Sequence, residues 1–405
     1  MKLRNVILLG LLAAFAIGFY AMAQEPVTIT FWHRFSSRHE TTLNTLKEEF
    51  EAMYPYVTIE YVYQGGYGDL QAKINNGVVA GELPTMTIFY ENWIPPVADA
   101  LLPLDGLLSQ ETVDDILPGL LSTAVYDGQM LTVPFNKSIM VLYYIEEKVP
   151  TPPANWVEFL TMCKDLTIDT DGDGIMDQYG TGIRPAANPE QFLTLLNQNN
   201  GSILNEDWTE VALDNVAGVQ AAEFYAELSQ YAWVTSEYLN SNVNLLGMAI
   251  DTSAGYYYWD TAAADAGLTI GLARVPAKEN QSSMIQGTNI GIFRSASQAE
   301  IDAAILFTEF LMTGDKTAYW AVASGYMPVT VSGYDSQVWL DHVAANPYAQ
   351  VMADQMLDGF SQILHPNYGD MRYILSTFCE EITLGGIPVA SALQLAVDDI
   401  ADLLE

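Results

Sequence analysis

Between Val27 and Phe89 the spacing of apolar residues switches between two periods, and that switching restricts the chain to few architectures. Val27-Thr28-Ile29-Thr30-Phe31-Trp32 alternates apolar and polar β-branched side chains, as a half-buried strand does. Leu43, Leu46, Phe50 and Met53 then share one helical face that ends at Pro55, and Ser37 with Glu40 has the spacing of a capping box. Val57, Ile59, Tyr61 and Tyr63 return to alternation until Gly65-Gly66 breaks it. Leu70, Ile74 and Val78 mark a second helix, and Met86-Thr87-Ile88-Phe89 reads as a third strand. The order β-α-β-α-β predicts a parallel sheet covered by helices. Ligands of such sheets collect at the carboxyl ends of the strands, where the sequence places Trp32-His33, Tyr67 and Glu91.

Further along, Val125 to Met130 predicts a hairpin turning at Asp127-Gly128. Pro134-Phe135-Asn136-Lys137-Ser138 leads into an apolar strand from Met140 to Tyr144, and a helix is expected to start near Trp156. Helices are also expected at Ala299 to Met312 and Val389 to Leu404. A chain of 405 residues holds two or three domains, and with no repeat or long linker in it those domains must pack closely or interleave.

Residues 1–23 show the order of a secretory signal: Lys2 and Arg4, an apolar run from Val6 to Tyr20, then Ala21-Met22-Ala23 before Gln24. The run is short for a membrane span of about 20 residues, and no cysteine follows it for lipid attachment. The expected product is an exported, soluble protein, periplasmic or otherwise outside the cytoplasm. Charge narrows its partners. Fifteen Lys and Arg face fifty Asp and Glu, a formal net charge of −35, which repels nucleic acid and anionic lipid. An anionic ligand would need a local arrangement of donors to overcome that field. Two cysteines, Cys163 and Cys379, support neither a disulfide framework nor a thiolate metal site; they can form one bridge or stay free.

Asp169-Thr170-Asp171-Gly172-Asp173-Gly174-Ile175-Met176-Asp177 matches the start of a calcium-binding loop. Asp169, Asp171, Asp173 and Asp177 fall at the first, third, fifth and ninth positions. Gly174 allows the sixth-position turn, and the carbonyl of Ile175 would be the seventh-position ligand. The twelfth position is Gly180 instead of a bidentate Glu, so the predicted Ca2+ site is abbreviated and structural. Catalytic signals are weaker. No Gly-x-Ser-x-Gly elbow, His-Glu-x-x-His helix or phosphate loop occurs, and His33, His39, His342 and His365 are scattered. Paired carboxylates remain open, since acidic residues are abundant.

Several segments recur in one order: Phe31-Trp32-His33, Tyr63-Gln64-Gly65-Gly66-Tyr67, Tyr90-Glu91, Pro134 to Tyr144, Asp251-Thr252-Ser253-Ala254-Gly255, Gln286-Gly287-Thr288, Ser324-Gly325-Tyr326-Met327-Pro328 and Met371-Arg372. Together they resemble the family 1 extracellular solute-binding proteins of ABC importers, and among them the members that bind sn-glycerol 3-phosphate. The resemblance implies an α/β, two-lobed periplasmic-binding-protein fold of type II, each lobe a mixed, mostly parallel sheet flanked by helices, with several hinge crossings. Residues 24–136 with about 272–313 would form lobe 1, and 137–271 with about 314–405 lobe 2, the latter holding the calcium loop 169–177.

The family's ligand contacts carry over to Tyr67, Glu91, Ser138, Ser253, Gly287, Tyr326 and Arg372. Such a set suits a phosphate, which takes several donors and a guanidinium, while Glu91 suits hydroxyls. By this resemblance Trp32 is a core or cleft-wall aromatic and His33 a positioning group. One departure stands out: where the glycerol-phosphate binders carry closely spaced tryptophans, this chain reads Gly182-Ile183-Arg184-Pro185-Ala186-Ala187-Asn188. Trp208 or Tyr257 could fill the gap, and Arg184 could add a positive charge. The implied function is a non-catalytic, monomeric receptor that delivers a small polyol phosphate or phosphodiester to ABC transporter permease subunits. An oligosaccharide receptor and a secreted calcium-dependent carbohydrate enzyme are the alternatives.

Overall fold

The computed structural model describes residues 24–405; the export signal expected over residues 1–23 lies outside the described residues. Strands β1 (Val27–His33), β2 (Val57–Tyr63) and β3 (Met86–Phe89) form where the alternation predicts them, and β1 pairs in parallel with both others. The Ser37–Met53 helix returns the chain from β1 to β2 and buries Leu43, Leu46 and Phe50, while the Tyr67–Ala80 helix buries Leu70 and Ile74. The capping box expected at Ser37 does not form. Ser36 is the N-cap, and Ser37 sits at φ 54°, so its side chain cannot reach the first-turn amides.

β4 (Val125–Tyr126) and β5 (Gln129–Met130) make the predicted hairpin, with Asp127 at φ 49° and Gly128 at φ 74°, both left-handed as a tight primed turn requires. The chain then runs into β6 (Val133–Ile145), longer than the Met140 to Tyr144 expected. A separate parallel pair, β7 (Thr181–Ile183) and β8 (Ala232–Val234), follows. β9 (Met248–Thr252), β10 (Ile270–Ala273), β11 (Ser283–Ile292) and β12 (Gly359–Phe360) complete the strands. The main sheet has the order β10-β6-β11-β3-β1-β2, with β9 also on β6 and β12 on β11. Parallel pairing in the β1–β3 region gives way to antiparallel pairing of β11 with β3 and β6 and of β6 with β9 and β10, while the short β12 lies parallel to β11, so the sheet is mixed.

β6 is buried along nearly its whole length because both faces are covered. Val141, Tyr143 and Ile145 join one apolar cluster and Met140 and Leu142 the other, as period-two alternation dictates. The first cluster centres on β1, β3 and the Gln298–Met312 helix. The second is built by the Trp156–Leu166, Glu190–Gln198, Val216–Ser229, Tyr368–Leu384 and Val389–Asp402 helices. Cys163 and Cys379 are both buried there as free thiols, and burial pushes both well up from the usual thiol range.

The Gly314–Ser324 helix, assigned by sequence to lobe 2, packs against the Ser37–Met53 helix and shares the first cluster. Trp320 holds it there: its ring stacks on Phe135 with centroids 4.8 Å apart and meets the edge of Phe35 at 5.1 Å. Aromatic contacts between residues this far apart in sequence outweigh chain order. Phe35→Ala and Trp320→Ala should each cost about 3–5 kcal/mol, and their effects should be coupled by about 0.5–3 kcal/mol. Urea melts of the single and double variants check this; strictly additive costs would show that the two rings do not stabilise each other.

Candidate functional site

A cleft of about 480 Å³ opens at the carboxyl ends of β1, β2 and β3. Tyr67, Gln71, Tyr90 and Trp93 line one wall, and Arg184, Asn188, Glu190, Asp251 and Thr252 another; Gln286, Gln362 and Arg372 close it. Tyr67 opens its helix at a fixed place because Gly66 donates its N–H to Asp69 Oδ2 at 2.8 Å. Tyr67 and Tyr90 pack 4.7 Å apart, Tyr90 and Trp93 5.2 Å apart, making an aromatic wall. Burial pushes the phenols of Tyr67, Tyr90 and Tyr326 up from their ordinary value, and their hydroxyls influence one another. All three therefore stay protonated and able to donate hydrogen bonds.

Tyr67 and Arg372, predicted from distant stretches, do meet at this cleft. Arg372 does not reach it as a free charge: it donates from Nε to Glu190 Oε1 at 2.6 Å and from Nη2 to Oε2 at 3.0 Å. That bidentate pair engages two of its five N–H donors. Tyr326 stands beside Tyr67, its ring parallel to Trp320 with centroids 6.3 Å apart.

The remaining predicted residues sit beneath the cleft and are occupied within the protein. Ser138 Oγ accepts from Thr252 Oγ1 at 2.9 Å, and Ser253 Oγ accepts from Ile139 N–H at 3.1 Å, so both hydroxyls join β6 to the end of β9. Gly287 is at φ 121°, and a Cβ there would lie 1.8 Å from the carbonyl oxygen of Asn136; its glycine is explained by the approach of β11 to β6. Glu91 is buried and its Oε1 accepts from Lys137, itself fully buried. Burial pulls the Lys137 ammonium down from its ordinary value, and the Glu91 charge opposes that. Glu91 Oε2 is buried with no partner, although Glu91 does not itself line the cleft.

Residues that were not predicted contribute as much. Arg34, directly after β1, holds its guanidinium carbon 4.5 Å from the centre of the Tyr67 ring, and its Nε is buried without a hydrogen bond. Its neighbours Trp32 and His33 drew attention to this strand end, so the same rule could have found it. Arg184, which the sequence did offer as an added positive charge, lines the cleft, with its Nε likewise unpartnered and its guanidinium carbon 4.6 Å from the Tyr238 ring centre. No salt bridge among the described residues involves Arg34 or Arg184. Glu190 carried no sequence signal, since its partner is 182 residues away. Asp251 is pushed up from the usual carboxylate range by burial, although Trp259 Nε1 donates to it at 3.1 Å.

Neither Trp208 nor Tyr257 lines the cleft, whose aromatic residues, Tyr67, Tyr90 and Trp93, stand on the other wall from Arg184. Tyr257 carries the Arg38 guanidinium carbon 4.6 Å from its ring centre. Trp32 is half-buried, with Lys73 Nζ 5.6 Å from its ring centre. His33 is buried and pushed down to about 4 by that burial; its Nδ1 accepts from Phe35 N–H at 3.1 Å, which fits a positioning role. In the loop at 169–177, the carboxylates of Asp169, Asp171 and Asp177 converge within 4.8 Å. Asp173 is exposed, its Oδ1 accepting from Ile175 N–H at 2.7 Å. Among the described residues no helix is long and apolar enough to cross a membrane.

Truncating Glu91 to Ala would strand a buried ammonium and should cost about 3–5 kcal/mol, whereas replacing both partners, Glu91→Leu with Lys137→Met, should cost clearly less. Chemical denaturation of both proteins decides between a paired charge and simple packing.

Known proteins share this architecture. The family described as bacterial extracellular solute-binding protein matches residues 45–347. The chain is 23% identical over 424 aligned positions to the sn-glycerol-3-phosphate-binding periplasmic protein UgpB of Escherichia coli O1:K1, covering 95% of this chain and 94% of that one. The cyclic alpha-maltosyl-1,6-maltose binding protein of Arthrobacter globiformis superposes with a TM-score of 0.82 at 22% identity, covering 94% of this chain and 99% of that one. UgpB of Mycobacterium tuberculosis in complex with glycerophosphocholine gives 0.80 at 20% identity, covering 93% and 98%. The two-lobed α/β fold of these binding proteins is therefore the fold of this chain.

Proposed function

Since the chain belongs to the bacterial extracellular solute-binding proteins, we propose that it is the substrate-binding component of an ABC importer. In this reading it works outside the cytoplasm as a single chain, captures a small polyol phosphate or phosphodiester in the cleft and delivers it to permease subunits. The family is one of binding proteins, not enzymes.

The observation that carries the ligand class is the excess of guanidinium groups at the cleft. Arg184 and Arg372 line it with Glu190 and Asp251, and Arg34 adds a third guanidinium against the Tyr67 ring of its wall, in a chain whose overall net charge is −35. Two of the three have a buried Nε with no partner. A hydrogen bond to a charged group contributes about 1.5–3 kcal/mol, so a few such donors supply the roughly 8 kcal/mol of micromolar binding. The acidic surface acts weakly at this range, because salt screens it beyond about 8 Å. The names of the glycerol-phosphate-binding relatives support the same reading. Arg34 and Arg184 would grip the anion with hydroxyls from Tyr67 and Tyr326. Hinge closure between the lobes would bring the two walls onto the ligand.

A second reading, a neutral oligosaccharide, is favoured by the aromatic wall of Tyr67, Tyr90 and Trp93 beside the amides of Gln71, Asn188 and Gln362. Calorimetry with sn-glycerol 3-phosphate, glycerophosphocholine and maltose separates the two. Arg34→Met and Arg184→Met should each weaken the phosphate compounds at least about tenfold, the loss expected for one charged hydrogen bond. Tight maltose binding with no phosphate binding would establish the second reading.

We also propose that the loop of Asp169, Asp171, Asp173, Ile175 and Asp177 takes Ca2+, since three of its carboxylates already converge and repel one another. The loop precedes β7, whose far end leads into Arg184, so an ion there would steady that wall. Adding calcium should raise the melting temperature, and EGTA should lower it. A melt indifferent to both rejects the site.

A further inference from the structure

A second chamber, of about 300 Å³, borders the cleft. Three elements furnish walls to both. The Glu190–Gln198 helix places Glu190 in the cleft and Leu193, one turn on, in the chamber. β11 places Gln286 in the cleft and Met284 in the chamber, two residues apart and so on the same face of the strand. Gln362 borders both. The steps are about 5 Å along the helix and about 7 Å along the strand, so the compartments adjoin.

Their chemistry differs. The cleft is polar and charged, whereas the chamber is walled by Leu196, Leu204, Phe360 and Ile363, with the half-exposed Trp208 at its side. Within the apolar walls lie polar atoms without partners. Tyr368 is 1% exposed and its Oη has no hydrogen bond; Gln362 Oε1 and Ser361 Oγ are buried and unpaired as well. Buried polar groups are nearly always hydrogen-bonded, so three at one chamber mark a place where a bound group completes the set. Tyr368 also stands about one turn before Arg372 on the Tyr368–Leu384 helix, with Tyr368 lining the chamber and Arg372 the cleft.

We propose that the chamber is a ligand subsite that takes an apolar substituent, a ring or short alkyl chain, on a ligand whose polar head sits in the cleft. It rests on the cleft being the ligand site and not on which head the cleft holds. A single hydrogen-bonding group on that substituent would meet Tyr368 and Gln362.

The test is calorimetry on the mature protein with two matched pairs: sn-glycerol 3-phosphate against its monophenyl diester, and maltose against phenyl maltoside. In at least one pair the phenyl member should bind about tenfold tighter or better. Ser361→Trp fills the chamber without altering a residue that lines the cleft; it should abolish the gain and leave the parent compound's affinity unchanged, while Ser361→Ala keeps the gain. Trp208→Ala, at a partly exposed position, should reduce the gain and serves if the bulky variant misfolds. Equal affinities within both pairs, or a gain that survives Ser361→Trp, overturn the subsite. A gain confined to the maltoside pair rejects the phosphate head and upholds the chamber. If neither head binds, saturation-transfer NMR with benzyl alcohol decides: transfer lost in Ser361→Trp supports the subsite, and no transfer to the wild type overturns it.

Discussion

Strand β6 is the constraint on which the rest of the structure depends. Its first half pairs with β11 and its second half with β9 and β10, so one continuous strand belongs to both parts of the sheet. Its alternate side chains enter the two apolar clusters. Because β6 is covered on both faces, any polar group on it must find a partner inside the protein. Lys137 finds Glu91, Ser138 finds Thr252, and the backbone beside them finds Ser253. The floor of the cleft is thus built mainly of internal polar contacts, with Glu91 Oε2 and Asn136 Nδ2 the buried atoms there left without a partner.

That floor explains why charge in the cleft comes from its walls. Lys137 is neutralised before it can reach a ligand, and Arg372 is held by Glu190. The guanidinium groups left without acidic partners, Arg34 and Arg184, come from the end of β1 and from the segment after β7. Arg34 packs on Tyr67 of one wall and Arg184 lines the other, an arrangement in which an anion between them would favour closure by interacting with both walls at once. The acidic exterior does not conflict with this, because screened surface charge and short-range donors act over different distances.

The fold was largely legible in the order of the residues. Alternation in Val27–Trp32, Val57–Tyr63 and Met86–Phe89 gave three paired strands, and apolar spacing gave the helices between them. Local rules failed where a neighbour in space intervened. Ser37 adopts a left-handed backbone in place of a cap, β6 extends through Lys137 because Glu91 makes that charge tolerable, and the Gly314–Ser324 helix packs against the Ser37–Met53 helix with Trp320 stacked on Phe135. The candidate site was legible as an edge of the sheet and as the meeting of Tyr67 with Arg372. Its charge balance was not.

The sequence alone determined the β-α-β-α-β start, the family resemblance and the placement of polar and aromatic residues at strand ends, because periodicity and turn chemistry are local properties of the chain. Only the tertiary structure decided which charges are free. Glu190 lies 182 residues from Arg372, and Glu91 46 residues from Lys137, so no spacing rule links them. Whether a guanidinium awaits a ligand or is already paired depends on which carboxylate the fold brings within about 3 Å, and that distance is set by packing, not by sequence order.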